Sequence, residues 1–381
     1  MKRKSALAIA GAVWLLCGPA QAQVSGVCSN CHTMHNSQNA QPVSDRGDVA
    51  FDPGDVDNYQ VVNLLVNACI GCHSSAGTDT IVNVGSTRIP IVYNTVEPSH
   101  PLAAGNFFYV ENRGDEFGHN VRSEDSHLTQ APGNTVYGCG FEGCHFSLAS
   151  IRYGPGPTPL FNPVIGNGCI GCHNPAHHAN DRQLVLAGGA KYVDESGGGY
   201  RFLNKAGANF WDIPPHNNPG VAGIEDPDWE FAPAAASHNE YQDNPKPFAP
   251  GAYGGRPEGI SDFCSGCHID FHSWPAGGSP NGTTSPWLRH PAGVTLRADG
   301  EYAGYTTYDP AVPVARKDHT TLSSAAGPSQ AVTPGEDKVM CLSCHRAHAS
   351  PHKDMLRWEY SDMAIDSGRT HGCFRCHTTK N

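Results

Sequence analysis

Cys341-Leu-Ser-Cys344-His345 and Cys373-Phe-Arg-Cys376-His377 are two copies of one five-residue pattern near the C-terminal end of the chain. In each copy two residues separate the thiols, and a histidine follows the second thiol directly. Two thiols at this spacing can add to the two vinyl groups of one haem, and the adjacent imidazole can then bind the haem iron. The pattern therefore indicates covalent, c-type attachment of haem.

Outward from these two copies, the same pattern recurs along the rest of the chain. Four more copies share the spacing, and a seventh is stretched to four residues between Cys139 and Cys144. The predicted haem-attaching cysteines are Cys28, Cys31, Cys69, Cys72, Cys139, Cys144, Cys169, Cys172, Cys264, Cys267, Cys341, Cys344, Cys373 and Cys376. The predicted proximal iron ligands are His32, His73, His145, His173, His268, His345 and His377. A single copy could be a redox dithiol or half of a zinc site, whereas seven copies with the same histidine indicate seven covalent haems.

The first residues have the composition of a secretory leader. Three cations at residues 2–4 precede an apolar stretch at residues 6–16, which is too short to span a bilayer. Ala20-Gln21-Ala22 matches a signal-peptidase site. We therefore expect residues 1–22 to be a cleaved signal peptide and residues 23–381 to form a single heptahaem cytochrome domain.

The remaining cysteine and the absence of later apolar runs bear on the location of the protein. Cys17 lies in the leader, so haem accounts for every cysteine that follows. A lipid anchor at Cys17 is the alternative, but bulky Leu16 stands where such an anchor needs a small residue. No later apolar run approaches the roughly 20 residues of a membrane helix. We expect export through the periplasm to the outer cell surface or the extracellular space, with no transmembrane segment.

The composition favours an irregular chain that packs around its cofactors. The sequence contains 43 Gly and 30 Pro, which interrupt most stretches of helical periodicity. The haems, as large apolar plates, must supply much of the core. We expect short helical turns after the motifs, a few short strands and a mostly irregular backbone. The net charge of −11 excludes nucleic acid as an expected partner, because such binding requires a basic face.

The sixth ligand of each iron separates electron carriers from catalysts. The chain has 21 His and only 5 Met, so a second histidine on each iron is the expected arrangement. The candidates that lie three to five residues after a proximal histidine, and would point toward a neighbouring haem, are His35, His177, His178, His272 and His348. The isolated candidates are His100, His119, His127, His290 and His319. The histidines expected to be structural or exposed are His216, His238, His352 and His371.

The third motif differs from the others. It is stretched, and residues 146–150 behind it contain no histidine. One interpretation is a longer loop with a distal ligand from elsewhere, such as His100 or His127. The other is an open iron that could act on a small molecule. The first interpretation describes an electron carrier and the second a reductase.

Longer segments around the motifs carry a more specific signal. They are residues 28–37, 118–120, 128–133, 264–272, 287–293 and 341–350. In these segments the chain resembles the outer-surface multihaem cytochromes of metal-reducing bacteria that polymerise into conductive filaments, the OmcS type. The segments are spread from the mature N-terminus almost to the C-terminus, so the resemblance covers the whole mature chain.

The resemblance implies two iron-bound histidines for every haem, and short helices and few short strands wrapped around a stacked chain of haems. It implies distal roles for His119, His272, His290 and His348, and a homopolymer in which His35 binds a haem of the next protomer. This chain departs from the family in having one more motif. Residues 169–173, with His177 and His178 behind them, look like the insertion.

These observations predict an extracellular electron-transfer protein and not an enzyme. It would polymerise end to end and deliver electrons to metal oxides or other extracellular acceptors, with other c-type cytochromes as partners. The alternatives are a monomeric periplasmic or surface shuttle with the same haems, and a multihaem reductase whose third haem is open. Against the reductase, every motif keeps its proximal histidine and spare histidines are abundant.

Overall fold

The computed structural model of the protein describes part of the chain. The described residues are 37–38, 41–42, 69–85, 87–119, 121, 169, 172–173, 203, 221, 223–243, 259–265, 290–316 and 328–380. The predicted signal peptide lies outside them. So do the site residues Cys28, Cys31, His32, His35, His127, Cys139, Cys144, His145, His177, His178, Cys267, His268, His272 and His319.

Secondary structure in the described residues is short. The α-helices are α1 (Ile70–His73), α2 (Phe108–Arg113) and α3 (Ile260–Ser265). The strands are β1 (Ser37–Gln38), β2 (Gln41–Pro42), β3 (Ser74–Ser75), β4 (Ile81–Val84), β5 (Thr87–Pro90), β6 (Tyr93–Asn94), β7 (Gly223–Ile224), β8 (Glu240–Tyr241), β9 (Val294–Thr295) and β10 (Lys338–Val339). Single 3-10 turns lie at Asp115–Phe117, Gly300–Gly304, Cys341–Ser343, Lys353–Met355, Tyr360–Asp362 and Gly372–Arg375. The predicted irregular chain with short helices and few short strands is confirmed for these residues.

The strands pair only in twos within the described residues. β4 and β5 form a hairpin that starts with Ile81 opposite Pro90 and turns at Gly85, whose φ of 60° lies in the left-handed region. β1–β2, β7–β8 and β9–β10 are also antiparallel, whereas β3 and β6 run parallel. A two-stranded sheet is only marginally stable by itself, so packing against other parts of the protein must stabilise these pairs.

Helical turns coincide with the haem motifs. In each motif that the structure describes, the histidine N–H donates to the carbonyl of the first cysteine, at 2.9–3.1 Å. This bond closes one helical turn and brings the thiols and the imidazole together. We expected helical turns behind the motifs. A turn follows His377, where the Lys380 N–H donates to the His377 carbonyl, whereas His73 is followed by β3 and His345 itself pairs with Leu356. The spacing of the motif is itself one turn, which explains the difference.

Buried apolar side chains form separate clusters beside the motifs. The first cluster is Val221, Tyr241, Ile260, Ala315, Met340 and Leu342. The second is Leu296, Tyr305, Tyr308, Val314 and Val332, with Cys376 packed against it. The third is Phe107, Tyr109, Val110 and Ala349. Each cluster borders a predicted haem site, which is the arrangement expected where cofactors complete the core.

One crossing of distant segments positions two candidate ligands. Residues 348–350 pass between residues 104–106 and 117–119, and we call this the Ala349 crossing. Four backbone hydrogen bonds of 2.7–3.1 Å join the three segments, two on each side. His119 and His348 both lie in the crossing, so their backbones are fixed relative to each other.

Two glycines allow the close approach at the Ala349 crossing. A Cβ atom on Gly105 or on Gly118 would overlap the backbone of Ala349. Gly105 also has a φ of +88°, in the left-handed region that side chains disfavour. Any side chain at these positions would push the segments apart.

We expect Gly105→Ala to lower the free energy of unfolding by about 3 kcal/mol or more, because overpacking against rigid backbone adds to the left-handed strain. The matched control is Gly368→Ala, at φ +73° with no heavy atom within 4 Å, which carries the strain alone. It should cost about 1–2 kcal/mol. Denaturant titration of the haem-loaded protein measures both. Equal losses of the free energy of unfolding in Gly105→Ala and Gly368→Ala would contradict the steric role of Gly105.

Candidate haem-binding sites

Cysteines of different motifs lie against one another. The thiols of Cys69 and Cys169 share a hydrogen bond, and so do those of Cys264 and Cys341. All described cysteines are free thiols, the form that can add to haem vinyl groups. The second motif therefore adjoins the fourth, and the fifth adjoins the sixth.

The described thiols differ in pKa. The hydrogen bond with Cys169 lowers the pKa of Cys69 to about 7, and the hydrogen bond with Cys264 lowers that of Cys341. Burial raises the pKa of Cys172 to about 11, that of Cys344 to about 12 and that of Cys376 to about 11. The thiolate is the reactive form, and a catalytic cysteine needs a lowered pKa. The raised pKa values keep these three thiols protonated at neutral pH.

Two pairs of imidazole rings have the spacing of opposite ligands on one metal atom. The ring centroids of His173 and His348 are 6.1 Å apart at 69°, and those of His290 and His377 are 6.1 Å apart at 85°. A metal–nitrogen distance of about 2 Å plus about 1 Å to the ring centre, taken twice, gives about 6 Å. Each pair joins a predicted proximal ligand with a predicted distal one. The residues present therefore fit an iron between them.

A third pair is close in space. Burial is the main cause that lowers the pKa of His345, and the neighbouring His119 is among the groups that lower it further. His119 reaches this position through the Ala349 crossing. The structure thus brings another predicted distal ligand beside another predicted proximal one.

Most of these imidazoles have the Nδ1 atom held by an oxygen. The contacts are His73 with Pro90 O (2.8 Å), His119 with Ala347 O (2.7 Å), His290 with Pro291 O (3.0 Å), His345 with Asp354 O (2.7 Å) and His377 with Glu301 Oε1 (3.1 Å). These oxygens only accept, so Nδ1 carries the proton and Nε2 keeps its lone pair. This tautomer binds a metal through Nε2, and the contact also fixes the ring.

His348 is held differently. Its Nδ1 is buried and has no hydrogen-bond partner among the described residues, and its ring stacks on Phe107 with centroids 4.6 Å apart. Burial, together with the charges of His173, His119 and His73, lowers the pKa of His348 to about 3. The imidazole is therefore neutral at ordinary pH, which is the form that binds a metal.

The remaining described histidines lie outside these pairs. His100 is exposed, with its ring 5.3 Å from that of Phe231. Its suggested role at the third haem stays a prediction, because residues 139–145 are not described. His238 is buried and stacks on Tyr308 at 3.6 Å, and burial lowers its pKa to about 4. Its Nδ1 lies 3.2 Å from Ala234 O. Its buried Nε2 has no hydrogen-bond partner among the described residues, so the structural role expected for His238 stays a prediction.

His352 and His371 are not held in any ring pair of the described part. His352 is half-buried with its Nδ1 3.7 Å from Glu359, and His371 is exposed. The described residues also include no group of three or more His, Cys, Asp or Glu side chains placed to hold a bare metal ion. Every helix in the described ranges is too short or too polar to cross a bilayer.

Two site residues escaped the sequence reasoning. Glu301 contacts Nδ1 of His377 across 76 positions of sequence, and Tyr302 places its ring 5.2 Å from the same imidazole. Both residues lie in the Gly300–Gly304 turn, inside a stretch without a haem motif. No local pattern marks a contact of such long range.

Comparisons with known proteins support the haem motifs. Residues 333–381, which contain the last two motifs, match the family model of the doubled CXXCH motif. The C-type cytochrome OmcS of Geobacter sulfurreducens is 25% identical to this chain, over 96% of this chain and 88% of that protein. The prediction of covalently bound c-type haem is confirmed, while the count of seven stays a prediction.

Solved filament structures from the same organism are also similar. The outer membrane cytochrome S filament is 20% identical, covers 90% of this chain and 85% of that chain, and has a TM-score of 0.46. The OmcS nanowires are 20% identical over 95% of this chain and 91% of that chain, with a TM-score of 0.41. The predicted resemblance to multihaem cytochromes of the OmcS type is confirmed by the sequence match over nearly the whole chain.

Proposed function

We propose that the protein carries electrons along seven c-type haems, each with two histidine ligands, and that its protomers polymerise end to end outside the cell. The observation that carries this proposal is the 6.1 Å spacing of His173 from His348 and of His290 from His377. An iron with an imidazole on both faces exchanges electrons but offers no position to a substrate. The proposed activity is therefore electron transfer without catalysis.

The cysteine pairs of the motifs would attach the haems, and the paired histidines would hold the irons. Bound haem supplies one-electron redox chemistry, which requires no acid or base from the protein. The Nδ1 contacts keep Nε2 directed at the metal. Contacts such as Cys69–Cys169 bring neighbouring motifs together, which supports a continuous path for electrons.

The distal ligands of the other irons remain part of the proposal. His35 and His272 carry the roles that the family resemblance implies, with His35 on a haem of the next protomer. The remaining irons would take their distal ligands from two sets. One set is His177 or His178, and the other is His100, His127 or His319.

The export of the protein and its electron acceptors are part of the same proposal. Residues 1–22 would direct the chain through the periplasm and be removed, leaving residues 23–381 as one heptahaem unit. The sequence similarity to OmcS supports an outer-surface or extracellular location. Metal oxides would be the terminal acceptors, and other c-type cytochromes the donors.

Electron microscopy of the haem-loaded protein from the extracellular fraction tests the proposal, with intact mass to count haems. We expect uniform filaments and a mass increase of seven haems over residues 23–381. Discrete particles with the same mass would show that the protein is a monomeric shuttle and not a filament subunit. High-spin signals together with nitrite turnover would show that it is a reductase with an open third haem.

A further inference from the structure

The Gly300–Gly304 turn clamps the predicted proximal ligand of the last haem. Glu301 Oε1 lies 3.1 Å from His377 Nδ1, and the Glu301 backbone carbonyl accepts the hydroxyl of Thr378. The Tyr302 ring packs against the same imidazole, with an angle of 64° between the two ring planes. The Glu301 side chain is 13% exposed and that of His377 is 23% exposed, so the contact lies near the surface. One turn thus controls both the orientation and the hydrogen bond of His377.

Glu301 differs in chemistry from the other Nδ1 acceptors. His73, His119, His290 and His345 each face a neutral backbone carbonyl. A carboxylate draws the Nδ1 proton more strongly than a carbonyl does, which makes the imidazole a more basic ligand.

We propose that Glu301 is a positioning residue that tunes the iron bound by His377 and lowers the potential of the C-terminal haem. The proposal rests on the proposed axial role of His377. A more basic imidazole and a nearby negative charge stabilise the oxidised iron, which is the more positive state. On reduction the iron accepts one electron from an external reductant, and the Nδ1 proton stays on the imidazole.

Lys380 opposes the effect of Glu301. Its Nζ lies 3.1 Å from the same Glu301 Oε1 atom that faces the imidazole, but its side chain is 50% exposed. The ammonium partly neutralises the carboxylate, and solvent screens this interaction. Removing the Lys380 charge should therefore push the potential in the direction opposite to removing the Glu301 charge. The two substitutions should therefore shift the potential of this haem in opposite directions.

The test is a potentiometric titration of the haem-loaded Glu301→Gln variant, followed by visible and electron paramagnetic resonance spectra. Glutamine keeps an acceptor for Nδ1 and removes the charge. We expect about one seventh of the haem absorbance to move to a more positive potential. Lys380→Met should move the same fraction to a more negative potential. A titration curve unchanged by Glu301→Gln overturns the proposal.

Two controls separate the possible failures. Asp299→Asn removes a carboxylate from the same loop, but Asp299 is exposed and bound to Arg297 at 2.9 Å. A shift as large in Asp299→Asn would show a general charge effect and would overturn a specific role of Glu301. His377→Ala tests the axial role itself. If all irons stay low-spin in His377→Ala, the ligation proposal fails independently of the Glu301 result.

Discussion

Replacing His348 by alanine is expected to convert one haem in each chain from low-spin to high-spin. The His348 ring lies 6.1 Å from that of His173 at 69°, so its removal takes one of two imidazoles from the proposed fourth iron. The loss leaves an open coordination position, and the reduced protein should then bind about one carbon monoxide per chain. The unsubstituted protein should bind none. Visible and electron paramagnetic resonance spectra measure both changes.

Folding must be separated from ligation in the His348→Ala variant, because the ring also stacks on Phe107. Added imidazole can enter the space left by the side chain and should restore the low-spin spectrum of a folded variant. His352→Ala is the matched control, four residues further on, with a side chain that is 29% exposed. It should remain fully low-spin. A His348→Ala variant with no high-spin fraction would show that another group binds this iron.

Replacing His35 by alanine is expected to abolish polymerisation and to leave one haem per protomer with an abnormal spectrum. The residue lies outside the described part of the chain, and its role follows from the family resemblance. If His35 binds a haem of the next protomer, each junction depends on an iron–nitrogen bond. Its loss should give discrete particles in electron microscopy and a single protomer mass in sedimentation.

Imidazole makes the His35→Ala experiment more specific. It should fill the open position and restore the low-spin spectrum, but it cannot join two protomers. A restored low-spin spectrum without filaments would therefore show that His35 joins two protomers and is not only a ligand. His371→Ala, which removes an exposed histidine, should polymerise normally. Normal filaments from His35→Ala would rule out the bridging role.

The covalent haem sites could be predicted from sequence because their chemistry is local. Cys341, Cys344 and His345 lie within five residues, and one helical turn assembles them wherever the turn forms. The irregular fold was also predictable, since Gly and Pro break periodic patterns over long stretches. The position of the helical turns was harder, because the motif spacing is itself a turn and the following residues pair with distant segments.

The pairing of each distal histidine with a particular haem could not be predicted, because it depends on tertiary contacts. His348 follows His345 closely in sequence, yet its ring faces His173. His290 meets His377 only because the turn around Glu301 packs on the C-terminal motif. Gly105 and Gly118 were not distinguished from the many other glycines. Their role depends on Ala349, which is remote in sequence.

The Ala349 crossing has a consequence for how the protein matures. Attachment of haem to a motif needs only five consecutive residues, so it can proceed on a chain that is still emerging from the export machinery. Under the proposed ligation, however, the fourth iron receives His348, which is among the last residues to arrive. The fourth iron therefore cannot acquire this ligand until residue 348 has left the export machinery.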